Sequence, residues 1–379
     1  MLNHHPINQS STQHVFVFLE VFECEGGIQS YVKDILSAYL SLPAKPVADI
    51  LILRDGPNCP NPFRDSHLRF HYLKTPWPTL GRIRLTLCLI ICLLRNRPKR
   101  IFCGHIRLAP LVGGLCRWLN IPYTVLTYGK EVWYPLTPTH KRALQAADKI
   151  WTISRYSRDR ACQANGLDAK MIELIPCVVD GEIFNLGLKS AGLVEKYQLA
   201  DSKVLMTVAR LWSGDIYKGV DVTIRALPEI AQIFPNVKYL VIGRGDDQPR
   251  LAQLAKDLAV ADRVVFAGFV PTVALVDHYL LADAYVMPSQ EGFGIVYLEA
   301  MACGVPVVSG DDDGSADPLQ DGRLGWRVPH RNPEAVAKAC IELLNGEDLR
   351  CRGEWLRQET LAHFSSAALN RQLAKLLAN

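Results

Sequence analysis

Residues 284–310 restrict the possible folds of this chain more than any other stretch. Ala284–Met287 is a short apolar run that ends a buried strand. The loop Pro288-Ser289-Gln290-Glu291-Gly292-Phe293-Gly294 follows, then a helix from Ile295 to Ala302, a turn, and a second strand by residue 310. Gly292 and Gly294 let the backbone approach a ligand closely. The helix opens directly after them, so its first amide N–H groups lack partners and carry partial positive charge, a seat for a phosphate. Glu291 and Glu299 bracket that seat. A carboxylate repels phosphate, so these acids need another task, and sugar hydroxyls are suitable donors for them.

The same alternation runs through the chain. His14-Val15-Phe16-Val17-Phe18-Leu19 is a continuous apolar run of the kind parallel sheets bury. A loop closing on Gly26-Gly27 and a helix over Ile28–Ser41 follow it. Further strands are expected at 48–53, 69–73, 100–103, 123–127, 149–153 and 171–175, with helices at 80–97, 108–119, 138–147 and 156–165. Pro176–Asn185 reads as a connector. Beyond it strands at 203–209, 237–242, 264–266, 284–287 and 325–328 alternate with helices at 219–234, 247–258, 273–281, 295–302 and 333–344, and the last thirty or so residues have a helical pattern. Two α/β, doubly wound, Rossmann-like domains are therefore expected to face each other across a cleft lined by the carboxyl ends of both sheets. The expected limits are a flexible tail at 1–13, a first domain at 14–180, a second at 181–355, and a C-terminal helix at 356–379.

Length and composition support this. The chain's 379 residues suit two domains, and 49% hydrophobic with 21% charged residues describes a globular protein. A net charge of +4 is too small to point to nucleic acid. Eleven cysteines, with no Cys-x2-Cys pair, resemble neither a disulfide framework nor a zinc centre, and a reducing cytosol is the simplest setting. Residues 1–13 have no apolar core and do not read as a signal peptide. The longest apolar run, Leu85–Leu94, is well short of the ~20 residues of a membrane span. It is flanked by Arg82, Arg84, Arg95, Arg97, Lys99 and Arg100, which fits either a buried helix with charged ends or a helix leaning on an anionic membrane surface.

The chemistry-bearing residues sit at strand ends. Arg210 and Lys218 lie just past the first strand of the second half, where a planar fork and a point charge can neutralise a departing diphosphate. Gly243-Arg244-Gly245 follows the next strand and either walls a nucleotide pocket or makes an ordinary turn. The third glycine of a dinucleotide fingerprint would fall at Gln248, so a dehydrogenase is disfavoured. Gly27 either meets a phosphate or acceptor at a helix start or merely makes a tight turn. In the first half, His105 reads as a general base, a hydroxyl partner or a structural histidine. Glu131 either orders an acceptor hydroxyl or joins a loop ion pair. Asp311-Asp312-Asp313 reads as a solvated loop rather than a metal site, for lack of a further ligand at a recognisable spacing.

The Glu-x7-Glu pair inside Glu-Gly-Phe-Gly…Glu-Ala-Met-Ala-Cys-Gly-Val-Pro-Val-Val, with Arg210-Leu211…Lys218-Gly219, closely resembles the retaining glycosyltransferases of family 4, which have the two-domain GT-B fold. The resemblance covers nearly the whole chain. It implies a hexosyltransferase that takes a nucleotide-sugar donor, UDP-glucose first and GDP-mannose second, and glycosylates a hydroxyl of a glycan, glycolipid or small molecule in polysaccharide or glycoconjugate biosynthesis. No metal or other cofactor is implied. By position, Arg210 and Lys218 would bind the donor diphosphate and Glu299 the ribose. Glu291 and the backbone of Gly292, Phe293, Gly294 and Ile295 would hold the sugar and phosphate, with Gly27 near the diphosphate. Many relatives have a histidine where this chain has Tyr128, a phenol that does not titrate near neutrality. His105, Tyr128 and Glu131 are the acceptor-side candidates. A cytoplasmic protein, peripheral at the inner leaflet, is the expected setting. A nucleotide-sugar-binding scaffold without turnover is the alternative, supported by Tyr128 alone.

Overall fold

A computed structural model describes residues 12–63 and 65–378, and they divide into two compact units. The first comprises residues up to Ile153, Ser157–Ile175 and the chain from Leu369 on; the second comprises Ser154–Tyr156 and Pro176–Ala368. Of the tail expected at 1–13, residues 1–11 lie outside the described residues. Thr12 and Gln13 are tied down: Thr12 Oγ1 donates to Asp49 Oδ2 (2.8 Å) and Gln13 N–H to Val47 O (2.8 Å).

The first unit carries β1 (His14–Phe18), β2 (Ala48–Ile52), β3 (Leu68–Tyr72), β4 (Arg100–Cys103), β5 (Tyr123–Thr127), β6 (Lys149–Thr152) and β7 (Ile172–Leu174). They form one parallel sheet in the order β3-β2-β1-β4-β5-β6-β7. β1 is buried at every position, and β5 likewise, because helices cover both faces of such a sheet. The second unit repeats the plan with β8 (Lys203–Val208), β9 (Val237–Ile242), β10 (Val264–Gly268), β11 (Ala284–Met287), β12 (Val307–Gly310) and β13 (Trp326–Val328), in the order β10-β9-β8-β11-β12-β13, all parallel. In each sheet the chain winds outward from its first strand, then returns to pair its fourth strand on that strand's other side. Loops leaving the two neighbours, β1 and β4 or β8 and β11, therefore diverge to opposite faces and open a crevice at the strands' carboxyl ends.

The local differences from the expected elements have causes. The helix read from Leu108 begins at Ala109, after a 3-10 turn over Ile106–Leu108. The helix read from Leu80 begins at Pro78, whose fixed φ suits a first turn, and ends at Arg97 in a left-handed conformation (φ 40°). The stretch 356–379 is not one helix. Gly353–Phe364 and Ser366–Ala378 are separated at Ser365, which is extended and bridges in parallel to Val179. The connector is fixed within the second unit: the Arg357 guanidinium donates to the carbonyls of Gly181 (2.7 Å), Phe184 (2.5 Å) and Ala302 (2.7 Å).

Candidate functional site

β8 and β11 flank the second unit's crevice, and the loops leaving them carry Arg210, Lys218 and Glu291. The β8 loop is braced by the next strand. Ala209 N–H donates to Ile242 O and Leu211 N–H to Arg244 O, extending the β8–β9 ladder past the sheet, and Ser213 is held by Asp246 (2.8 and 2.9 Å). The close approach requires glycine at 243, where an added Cβ would stand 1.8 Å from Ala209 O. Gly243 and Gly245 therefore act as spacers beneath the β8 loop, and the Arg244 guanidinium lies over the Phe269 ring at 4.8 Å.

Each cation has a carboxylate partner. Arg210 Nε donates to Asp215 Oδ2 at 2.5 Å; Asp215 is buried while the Arg210 side chain is 66% exposed, so its fork remains open to solvent. Lys218 Nζ donates to Glu291 Oε1 across 73 residues, with side chains 20% and 17% exposed. Burial is the largest influence on the Lys218 ammonium and would lower it, but the charge and hydrogen bond of Glu291, with Tyr217 and Asp215, together outweigh burial and hold the group above the ordinary lysine value. Motif reading treats these two residues separately, whereas in the fold they are one ion pair.

The Glu291 loop is shaped by Asp313, which the acid run alone suggests is solvated. It is buried instead. Its Oδ2 accepts from Glu291 N–H (2.8 Å) and its Oδ1 from Ser315 N–H (2.9 Å), and Gly314 N–H donates back to Glu291 O (2.8 Å). Burial pushes the Asp313 carboxyl up to about 7, despite these donors. Gly294 precedes the helix Ile295–Ala302 in a left-handed conformation (φ 90°), and an added Cβ would lie 2.4 Å from the Tyr297 ring. No side chain caps this helix start, and its first turn has no acid, so its amide groups keep their partial positive charge. The Phe293 ring is buried against Phe364 (5.9 Å between centroids), which leaves only its backbone for a ligand. Glu299 Oε2 accepts from the buried Tyr279 hydroxyl (2.6 Å), and burial raises the Glu299 carboxyl above its ordinary value.

The remaining sequence-picked residues lie in the first unit. Gly27 begins the helix Gly27–Leu40, which has no side-chain cap and no acid in its first turn, and the space beside Gly27 Cα is open. His105 Nδ1 accepts from Arg107 N–H (3.0 Å) and caps the 3-10 turn; burial, then the charges of Arg107 and Arg54, push its imidazole down to about 4. Such a group is neutral at pH 7, and its Nδ1 is committed to the turn. Tyr128 is buried and donates to Gly104 O (2.7 Å), edge-on to Tyr31. Glu131 Oε1 accepts from the N–H groups of Tyr128 and Gly129, and burial raises its carboxyl.

Motif reading misses Asp215, Tyr279 and Asp313. Asp215 sits between the two cations in sequence, a weak signal. Tyr279 and Asp313 have none, because their partners come from other elements.

Residues 202–346 match the family described as Glycosyl transferases group 1. The chain is 36% identical over 231 residues to the GDP-mannose-dependent α-(1-6)-phosphatidylinositol monomannoside mannosyltransferase of Mycolicibacterium smegmatis, covering 58% of this chain and 59% of that protein. A protein of the same description from Mycobacterium tuberculosis is 34% identical over 235 residues (59% and 60%). The matched stretch thus spans about three-fifths of these relatives' length. A GDP-mannose-dependent mannosyltransferase of monoacylated phosphatidylinositol monomannoside from Corynebacterium glutamicum is 24% identical over 368 residues (93% and 94%). In fold, the chain is similar to HepE of Anabaena in complex with UDP (TM-score 0.77, 19% identity, 97% of this chain and 100% of that one). It is likewise similar to sucrose-phosphate synthase of Thermosynechococcus elongatus (TM-score 0.76, 22% identity, 97% and 98%).

Proposed function

We propose that this chain, which belongs to the group 1 glycosyltransferases of the GT-B fold, moves mannose from GDP-mannose to a hydroxyl of a phosphatidylinositol-type glycolipid. The observation that carries the donor half is the part-buried Lys218–Glu291 pair beside the uncapped start of helix Ile295–Ala302. On a diphosphate's arrival the Lys218 ammonium and the exposed Arg210 fork take its charge, and the amide groups after Gly294 receive its oxygens. As the sugar leaves, these groups stabilise the departing phosphate without a metal ion. Glu299, held through Oε2, keeps Oε1 for a ribose hydroxyl, and Glu291 turns from Lys218 toward the sugar hydroxyls. The resemblance to family 4 supports front-face displacement with retention, in which the leaving phosphate oxygen takes the acceptor proton. Gly27 is the first unit's proposed anion seat.

The donor order expected from sequence, UDP-glucose before GDP-mannose, is reversed here because the mannosyltransferase relatives are named for GDP-mannose. Their printed acceptors are glycolipids, which favours work at a membrane surface. No helix among the described residues is long and apolar enough to cross a membrane. Helix Pro78–Asn96 nevertheless exposes Ile83, Leu87, Ile91 and Leu94, each by more than half, beside Arg82, Arg84 and Arg95. That pattern suits peripheral contact with anionic lipid. Thermal shift with GDP, UDP, GDP-mannose, UDP-glucose and NAD tests the donor. GDP and GDP-mannose should raise Tm most. The proposal fails if no nucleoside diphosphate raises it, and a response to NAD alone would point to a dehydrogenase.

A further inference from the structure

A cavity of about 1030 Å³ opens in the first unit between β3 and helix Pro78–Asn96. Its lining is mostly apolar, yet Asp49, His71, Cys88 and Cys92 all face it. These residues have no part in the donor chemistry above; they stand at the β3 edge of the sheet, away from the β1–β4 switch point. Their meeting follows from regular geometry. In the β2–β3 register Asp49 pairs with Arg69, so His71 lies two residues farther along on the same face. Cys88 and Cys92 are four apart on the helix, hence on one face of it.

The donor atoms are close together. Asp49 Oδ1 and His71 Nε2 are 2.8 Å apart, and a carboxylate oxygen of Asp49, a ring nitrogen of His71 and Cys92 Sγ all lie within 4.8 Å of one another. Tetrahedral zinc, with Zn–N of about 2.0 Å and Zn–S of about 2.3 Å, sets ligand–ligand separations of roughly 3.3–3.8 Å, reachable here by small rotations. The carboxylate is also oriented from behind: Asp49 Oδ2 accepts from Thr12 Oγ1 (2.8 Å) and Asn96 Nδ2 (3.1 Å), the kind of outer support that metal-bound carboxylates have. Two thiols with an imidazole select zinc over the oxygen-preferring calcium or magnesium.

We infer that the clustered donors Asp49, His71 and Cys92, with Cys88 turning in from one helical turn away as the fourth ligand, form a structural zinc site that staples helix Pro78–Asn96 to strands β2 and β3. On binding, the metal displaces the proton shared by Asp49 and His71 and the two thiol protons, all released to water. With four protein ligands the site is closed to substrate, so it serves structure, and the exposed apolar face of the helix is held in place by it. The expectation of no zinc centre rested on the missing Cys-x2-Cys pair. A Cys-x3-Cys pair on a helix, completed from two strands, leaves no such signature.

The test uses the full chain purified without a histidine tag from zinc-supplemented cells. Elemental analysis should find about one zinc per chain, and Cys88→Ser, Cys92→Ser and the double variant should each lose most of it. Because a variant could misfold, the wild-type protein stripped of metal is also titrated with Co²⁺, which should give a thiolate-to-cobalt charge-transfer band in the near ultraviolet, and with Zn²⁺, which should raise Tm. Absence of zinc together with no cobalt band would overturn the inference. So would equal zinc in wild type and the folded double variant, and the cluster would then be a hydrogen-bonded polar group only.

Discussion

Replacing Lys218 by Met keeps the side chain's bulk and removes its charge, leaving Glu291 without its ammonium partner. Exposed ion pairs contribute about 0–1 kcal/mol, and breaking a fully buried one costs about 3–5 kcal/mol. At 20% and 17% exposure this pair lies between, and a cost of about 2 kcal/mol is expected. For a unit of this size each kcal/mol moves Tm by roughly 2–4 °C, so the variant should melt about 4–8 °C lower by calorimetry. It should also bind GDP more weakly. Loss of one charge-assisted hydrogen bond, about 1.5–3 kcal/mol, corresponds to a roughly 10- to 150-fold rise in Kd by titration calorimetry. The double variant Lys218→Met, Glu291→Gln separates the two effects. Removing the orphaned charge should restore at least half of the lost Tm, while GDP affinity stays low. The reasoning is refuted if the double variant regains affinity along with Tm, or if Lys218→Met melts early yet binds GDP like wild type.

Three other perturbations probe the surroundings. Asp313 gives a pH signature. Burial lifts its carboxyl from 3.8 to about 7, so between roughly pH 4 and 7 the folded chain keeps a proton that the unfolded chain has lost. Its stabilising contribution is full below pH 4 and is lost as pH rises through 7, by up to about 4 kcal/mol; Asp313→Asn should flatten the fall in Tm between pH 5 and 8, and an unchanged slope would contradict the assignment. Gly294→Ala must hold a left-handed φ and press on Tyr297, which should lower Tm by several degrees and weaken GDP binding; a variant that melts and binds like wild type would show that the loop does not need glycine there. Changing Arg82, Arg84, Arg95 and Arg97 to Gln should reduce sedimentation with phosphatidylserine vesicles, at about 1 kcal/mol per charge, and equal binding by both proteins would exclude an electrostatic membrane contact.

Legibility in the sequence follows the range of the interaction. β11 spans Ala284–Met287 and the next helix Ile295–Ala302, as the apolar run and glycine loop indicate, because burial on both faces and turn chemistry are written locally. The positions of Arg210, Lys218 and Glu291 past the ends of β8 and β11 were also legible, since strand ends in a doubly wound sheet converge by topology. Pairings made across distant segments were not. Nothing near Lys218 announces Glu291, nothing in Asp311-Asp312-Asp313 shows which acid turns inward, and nothing beside His105 announces that its Nδ1 takes Arg107 N–H. The C-terminal pattern continues through Ser365 because Ser366 onward is again helical; the break comes from the bridge to Val179, which helical periodicity cannot register.

The central claim is that the Lys218–Glu291 corner supports mannosyl transfer from GDP-mannose to a lipid-linked hydroxyl. Its most direct test incubates the purified chain with GDP-mannose and phosphatidylinositol monomannoside and follows the lipid by mass spectrometry, with Lys218→Met in parallel. One added hexose in the wild-type reaction, reduced at least tenfold in the variant, is the predicted result. An unmodified lipid, with GDP-mannose consumed by neither protein, would contradict the account.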